Sequence, residues 1–143
     1  MGNESKISGQ CYCGETRITA KCGPQAVALC HCVDCRRITS APVAAFAAFA
    51  EAEISFAPDE GQDVVVSPGV RRTFCRTCGT TLTGRYDYLP GTVYVGVGLL
   101  DQADELEPEL HSHDGQRLKW LHIDDTLPRF EGSARSALND AGK

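Results

Sequence analysis

Val43-Ala44-Ala45-Phe46-Ala47-Ala48-Phe49-Ala50 decides the fold class, because it can be read two ways. Alanine is the strongest helix former, which favours a helix. Pro42 precedes the stretch and strand-like runs flank it, which favours a strand, and a strand is the reading adopted. With this segment as a strand, little in the chain reads as helix.

Upstream, Ile18, Ala20 and Cys22 alternate with Arg17, Thr19 and Lys21, the period of a strand with one buried face. That alternation places Cys22 on the apolar side as a small buried hydrophobe. Val27-Ala28-Leu29-Cys30 reads as a short strand, and Val33 to Ile38 as a helical turn that must stop before Pro42. Downstream, strands are expected at Ile54 to Phe56, Val64 to Val66, Val70 to Phe74, Thr80 to Arg85 and Thr92 to Val97. Turn signals separate them at Pro58-Asp59-Glu60-Gly61, Ser67-Pro68-Gly69 and Pro90-Gly91. Beyond the acidic segment Asp101 to Glu109, Leu110 to His113 and Lys119 to Ile123 resume a strand-like pattern. After Phe130 the small and polar residues Gly132, Ser133, Ala134 and Asn139 read as a frayed end, so one domain is expected over 7–131 with a disordered tail over 132–143.

A length of 143 residues suits one domain, and five Phe, four Tyr, one Trp and one Met make its core thin. The net charge of −5 is the wrong sign for counterion-release binding to nucleic acid or to an anionic membrane. No stretch approaches the ~20 apolar residues of a membrane span. Met1-Gly2-Asn3-Glu4-Ser5-Lys6 lacks an apolar signal region, and Lys6 stands where a myristoylation pattern wants Ser or Thr. A soluble, cytoplasmic chain is expected.

Eight cysteines are many for a reducing compartment, and their spacing points to metal. Zinc bound by four thiolates holds each sulfur at about 2.3 Å, so neighbouring sulfurs lie roughly 3.8 Å apart. Cys11-x-Cys13 between Gly9 and Gly14, and Cys75-x-x-Cys78 before Gly79, can meet this as two knuckles closing one site. Reduced core thiols and a redox Cys75/Cys78 pair are the competing readings, the second without the βαβ pattern it wants.

Cys30, Cys32 and Cys35 are then three thiolates with no fourth knuckle, the mark of a metal that keeps one position for water or substrate. An incoming thiol held there would stay ionised at neutral pH and act, or depart, as a nucleophile. The competing reading closes the triad with Asp34, Cys22 or water and gives no turnover. His31 lies between two ligands on a strand-like segment, so its side chain should point away and serve structure. Arg36 and Arg37 could pair with a substrate carboxylate or form a solvated basic face. His111 and His113 share a strand face at a spacing compatible with metal, but with no further His or carboxylate aimed at them they read as a surface pair.

Three segments resemble a known family: Gly9-Gln10-Cys11-Tyr12-Cys13-Gly14, Cys30-His31-Cys32-Val33-Asp34-Cys35-Arg36-Arg37, and Phe74-Cys75-Arg76-Thr77-Cys78-Gly79-Thr80. They look like the motifs of the glutathione-dependent formaldehyde-activating enzymes, or CENP-V/GFA domain. Pro108-Glu109-Leu110-His111, Trp120 and Leu127-Pro128-Arg129-Phe130 are similar to that family's ending. The resemblance implies a mainly β protein, a β-tent of short antiparallel sheets around zinc with little helix. It implies a structural zinc at Cys11, Cys13, Cys75 and Cys78 and a catalytic zinc at Cys30, Cys32 and Cys35. The activity implied is that of a carbon–sulfur lyase joining formaldehyde to glutathione as S-hydroxymethylglutathione. After the triad, Ile38-Thr39-Ser40-Ala41-Pro42 stands where the family more often has Gly and a small residue. A zinc-stabilised interaction module without turnover is the alternative, and the acidic charge argues against a chromatin role for it.

Overall fold

The computed structural model describes residues 6–141. Met1 to Ser5, on which the reading of the N-terminus rests, lie outside it, as do Gly142 and Lys143. Among the described residues the fold is mainly β, ten strands in two sheets with two short α-helices.

The smaller sheet, ordered β1-β2-β5, holds β1 (Ile7–Gln10), β2 (Arg17–Ala20) and β5 (Ile54–Ala57). The larger is ordered β10-β3-β4-β9-β8-β7-β6. Its strands are β3 (Ala26–Cys30), β4 (Ala44–Ala50), β6 (Gln62–Ser67), β7 (Val70–Phe74), β8 (Thr81–Tyr86), β9 (Thr92–Gly96) and β10 (Leu110–Ser112). The alanine-rich stretch is thus the strand β4, central in the sheet. A central strand packed on both faces beside close neighbours tolerates small residues, and that context overrides alanine's helix preference.

The two phenylalanines of β4 show how the sheet is used. Strand side chains alternate, so Phe46 and Phe49 point to opposite faces. Phe49 packs with Ile7, Ile18, Val27, Ala47, Val93 and Val95 between the two sheets. Burying one such ring contributes roughly 1.5–3 kcal/mol. Phe46 faces the other way, among Ala26, Cys35, Ala44, Ala48, Leu89 and Tyr94. This second face carries the functional groups described below.

Four local expectations need correction. β2 stops at Ala20, and Cys22 sits half-buried in the following bend with its Sγ 3.8 Å from Glu53 Oε1. The strand-like run Lys119 to Ile123 pairs with no strand. Its alternation survives as half-buried Leu121 and Ile123, but their carbonyls accept from Arg117 Nη1 at 3.0 Å and Arg129 Nη2 at 2.8 Å. β10 runs parallel to β3, so the larger sheet is not wholly antiparallel.

The residues read as a frayed end form the helix α2 (Arg135–Ala141). Ala134 is fully buried with its N–H donating to Ser112 Oγ at 3.2 Å, and Leu138 packs beside Ala28 and Leu110. Composition there is polar because one face of a short helix suffices to hold it. Among the described residues no helix is long and apolar enough to cross a membrane.

Candidate metal centres and their cavity

Cys11 and Cys13 follow the end of β1, and Cys75 and Cys78 follow the end of β7. The two turns close alike: Gly14 N–H donates to Cys11 O at 3.1 Å, and Gly79 N–H to Cys75 O at 2.9 Å. Both glycines have positive φ, +82° and +79°, where a side chain would strain the backbone. The knuckles are also tied to each other. Tyr12 N–H donates to Thr80 Oγ1 at 3.1 Å, and Thr77 Oγ1–H to Glu15 Oε1 at 2.9 Å.

All four sulfurs lie within 4.8 Å of one another, with Cys11 to Cys13 at 3.6 Å and Cys13 to Cys75 at 3.9 Å. These separations fit the edge of a four-thiolate tetrahedron, so the group can hold a metal ion. Cys78 is drawn down to about 5 by the Thr80 hydroxyl and backbone N–H, which favours a thiolate. Because β1 and β7 belong to different sheets, an ion here would clamp them together.

Cys30 ends β3, Cys32 caps the helix α1 (Val33–Thr39), and Cys35 lies in its first turn. Their sulfurs also lie within 4.8 Å of one another. Cys32 Sγ is 3.5 Å from Cys30 Sγ and accepts from Cys35 N–H at 3.2 Å. Hydrogen bonds from Cys30 and then Cys35 lower Cys32 to about 2, while Cys30 is pushed strongly up, first by Cys32. Negative charge in the triad therefore collects on the capping sulfur.

His31, between the cysteines, is fully buried and turned away from them. Its Nε2 is 2.8 Å from His111 Nδ1, and His111 Nε2 is 2.8 Å from Asp125 Oδ2. A carboxylate can only accept, so His111 Nε2 carries the proton toward Asp125 and His31 Nε2 donates to His111 Nδ1. Burial lowers His31 and favours its neutral form. The sequence reading of His31 as a satisfied structural imidazole agrees at Nε2, which is paired with His111, but not at Nδ1, which is buried without a partner among the described residues. The reading of His111 does not agree: it is fully buried and paired with His31, not at the surface with His113. β10 ends at Ser112, and His113 has φ +55°, which turns its side chain out of strand register.

His31, His111 and Asp114 also lie close enough to share an ion. Arg129 Nη1, 2.9 Å from Asp114 Oδ1, already supplies that carboxylate's cation.

The triad opens onto a cavity of about 690 Å³ lined by Cys30, Cys32, Cys35, Arg37, Phe46, Arg72, Tyr86, His113 and Arg135 among others. The four-cysteine group does not line it. Arg37 is on its wall, whereas Arg36 is not and donates from Nε to His31 O at 3.2 Å. Cys22 joins neither cysteine group. Sequence reasoning passed over Arg72 and Arg135. For Arg72 a signal existed in Gly84, a glycine inside a strand where something must approach closely.

The sequence profile described as "Glutathione-dependent formaldehyde-activating enzyme" matches residues 6–115, which is most of the chain and includes both cysteine groups. The chain belongs to this family. A protein of Schizosaccharomyces pombe named as an uncharacterized lyase is 32% identical over 81 residues, an alignment spanning 57% of this chain and 58% of that relative. A crystal structure of a Rhodobacter sphaeroides protein superposes with a TM-score of 0.54 at 19% identity, covering 86% of this chain and 99% of the other, and shows the same fold.

Proposed function

We propose that the protein is a zinc-dependent carbon–sulfur lyase that reversibly joins glutathione and formaldehyde as S-hydroxymethylglutathione. Cys30, Cys32 and Cys35 would hold the catalytic zinc, and Cys11, Cys13, Cys75 and Cys78 a structural one, two zinc ions per chain. The reading is carried by one contrast: the three-cysteine group opens onto a cavity, and the four-cysteine group does not.

Zinc at the triad would supply a Lewis acid that keeps an incoming thiol ionised at neutral pH, where a free thiol of pKa about 8.5 is mostly protonated. In the forward direction the thiol sulfur bonds to the aldehyde carbon, the C=O π pair moves to oxygen, and the thiol's proton ends on that oxygen. The reverse breaks the same C–S bond. The chain's own groups position the partners. α1 holds Cys32 and Cys35 in one turn. The His31–His111–Asp125 chain fixes the backbone between Cys30 and Cys32. Phe46, Tyr86 and Tyr94 give the cavity an apolar wall that limits water around the adduct.

The test is exchange spectroscopy by NMR between free formaldehyde and its glutathione adduct, with wild type, Cys32→Ser and Arg37→Ala. Wild type should exchange well above the buffer rate and Cys32→Ser at the buffer rate. Arg37→Ala should fall between them. Wild-type exchange no faster than buffer, with other small thiols and aldehydes also tried, would leave the interaction module as the reading.

A further inference from the structure

Arg72 is a buried cation for which the surrounding protein offers too little. It is 4% exposed on β7, and neither its Nε nor its Nη1 has a hydrogen-bond partner among the described residues. Its neighbour Arg71 faces solvent and is paired with Asp63. The difference is strand parity, since Val70 and Arg72 face the cavity and Arg71 does not.

The guanidinium lies 5.2 Å from the Tyr86 ring centroid and 5.8 Å from that of Phe46. Ring faces attract it but satisfy none of its N–H groups, and a buried charge without hydrogen bonds is costly. Room for it is provided by Gly84, its partner across β8. A Cβ there would come 3.0 Å from Arg72 Nη1 and 2.7 Å from Tyr86 Oη. The cradle is therefore shaped around a guanidinium whose Nε and Nη1 are enclosed and unpaired, at the wall of the cavity. Arg37 and Arg135 line the same cavity against the single carboxylate of Asp34, although the chain as a whole carries −5. An anion is the chemistry that completes this site.

The triad's own thiolates are one source of negative charge, and Arg72, over Phe46, acts on Cys35 through space. No sulfur is a hydrogen-bond partner of Nε or Nη1. A ligand in the cavity reaches both the triad and Arg72. We propose that Arg72 anchors a carboxylate of the substrate thiol, so that the cavity selects acidic thiols by charge. This rests on the reading of the triad as the thiol's site. The sulfur is held at Cys30, Cys32 and Cys35, and a carboxylate of the same molecule pairs with the Arg72 guanidinium at the cavity wall. Glutathione, with carboxylates at both ends, has the required form.

The test separates the carboxylate from the sulfur. S-methylglutathione keeps its carboxylates and has no thiol, and its dimethyl ester has neither. Binding of each to zinc-loaded protein is measured by calorimetry for wild type, Arg72→Met, Arg37→Met and Arg135→Met, with metal content and circular dichroism recorded for each. Wild type should bind the acid roughly tenfold or more tighter than the ester, the worth of a charge-assisted pair. Arg72→Met should bring the ratio near one, while the other two variants keep most of it. Equal wild-type affinity for acid and ester overturns the proposal whatever the variants do. So does a ratio that survives Arg72→Met, or one that Arg37→Met or Arg135→Met abolishes. Should Arg72→Met fail to fold, the wild-type ratio and the two outer arginines decide. Turnover is read separately: a preserved ratio without formaldehyde exchange removes the proposed reaction and leaves Arg72 as an anion site, and exchange without a ratio does the reverse.

Discussion

The two cysteine groups use one kind of side chain, and what differs is the structure enclosing them. Cys11, Cys13, Cys75 and Cys78 come from turns at the ends of strands in separate sheets, and hydrogen bonds between the turns close the group. Cys30, Cys32 and Cys35 come from one short segment, a strand end and a helix start, and look out into a cavity. A group assembled from distant segments couples metal binding to the fold. A group assembled from a local segment can form, open and exchange without dismantling the sheets.

The sharpest way to break this contrast is substitution in each group. Cys75→Ser should lower the melting temperature by at least about 15 °C, because the clamp between sheets is lost with its ion. Cys32→Ser should cost about 5 °C or less while removing the metal of the triad. Scanning calorimetry with metal analysis reads both, and similar losses in the two variants would show that the groups share one role.

A smaller effect is expected behind the triad. His111→Ala leaves a cavity and removes the partner of His31, which should cost about 2–4 kcal/mol in denaturant unfolding. Metal affinity at the triad should weaken with it, and the four-cysteine group should keep its ion. Loss of metal from both would mean that the sheets transmit the disturbance.

Acid provides a third probe, since metal loss and ion-pair loss can be separated. Burial alone would raise the Glu60 carboxyl, but hydrogen bonds from Arg85 and Thr83 outweigh it and hold it below the usual carboxylate range. Its contribution is therefore fully present above the unfolded carboxylate pKa of about 4.3 and is lost as pH falls through the depressed folded value. Glu60→Gln should remove about 1 kcal/mol at neutral pH, a figure discounted for partial exposure, and flatten the acid limb of the stability curve. The pH at which metal leaves should not move, because Glu60 touches neither cysteine group.

The smallest effect belongs to Cys22, which joins neither group. Cys22→Ala should keep the metal stoichiometry and change stability by less than about 1 kcal/mol. Loss of one ion per chain would place Cys22 among the ligands and close the triad.

Local patterns carried much of this from the sequence alone. Val70 to Phe74 reads as a strand and is one, and the helical turn after Cys32 ends before Pro42. What escaped were arrangements joining distant positions. His111 reads as a surface residue because nothing near it in sequence reveals His31, eighty positions earlier. Arg72 sits beside Arg71 as if in a solvated pair, and only the faces of the larger sheet separate them. The tail is polar enough to fray, yet Ala134 and Leu138 find apolar partners on β3 and β10.

The parallel strand β10 and the helix α2 also set an order of events during synthesis. The ribosome delivers Cys30, Cys32 and Cys35 well before Ser112, Arg135 and Leu138, which complete the walls around them. Chains are made from the N-terminus at roughly 5–20 residues per second, so the nascent triad spends seconds without its cover. During that interval its sulfurs are open to any metal or oxidant at hand, whereas the finished cavity admits only what its walls allow.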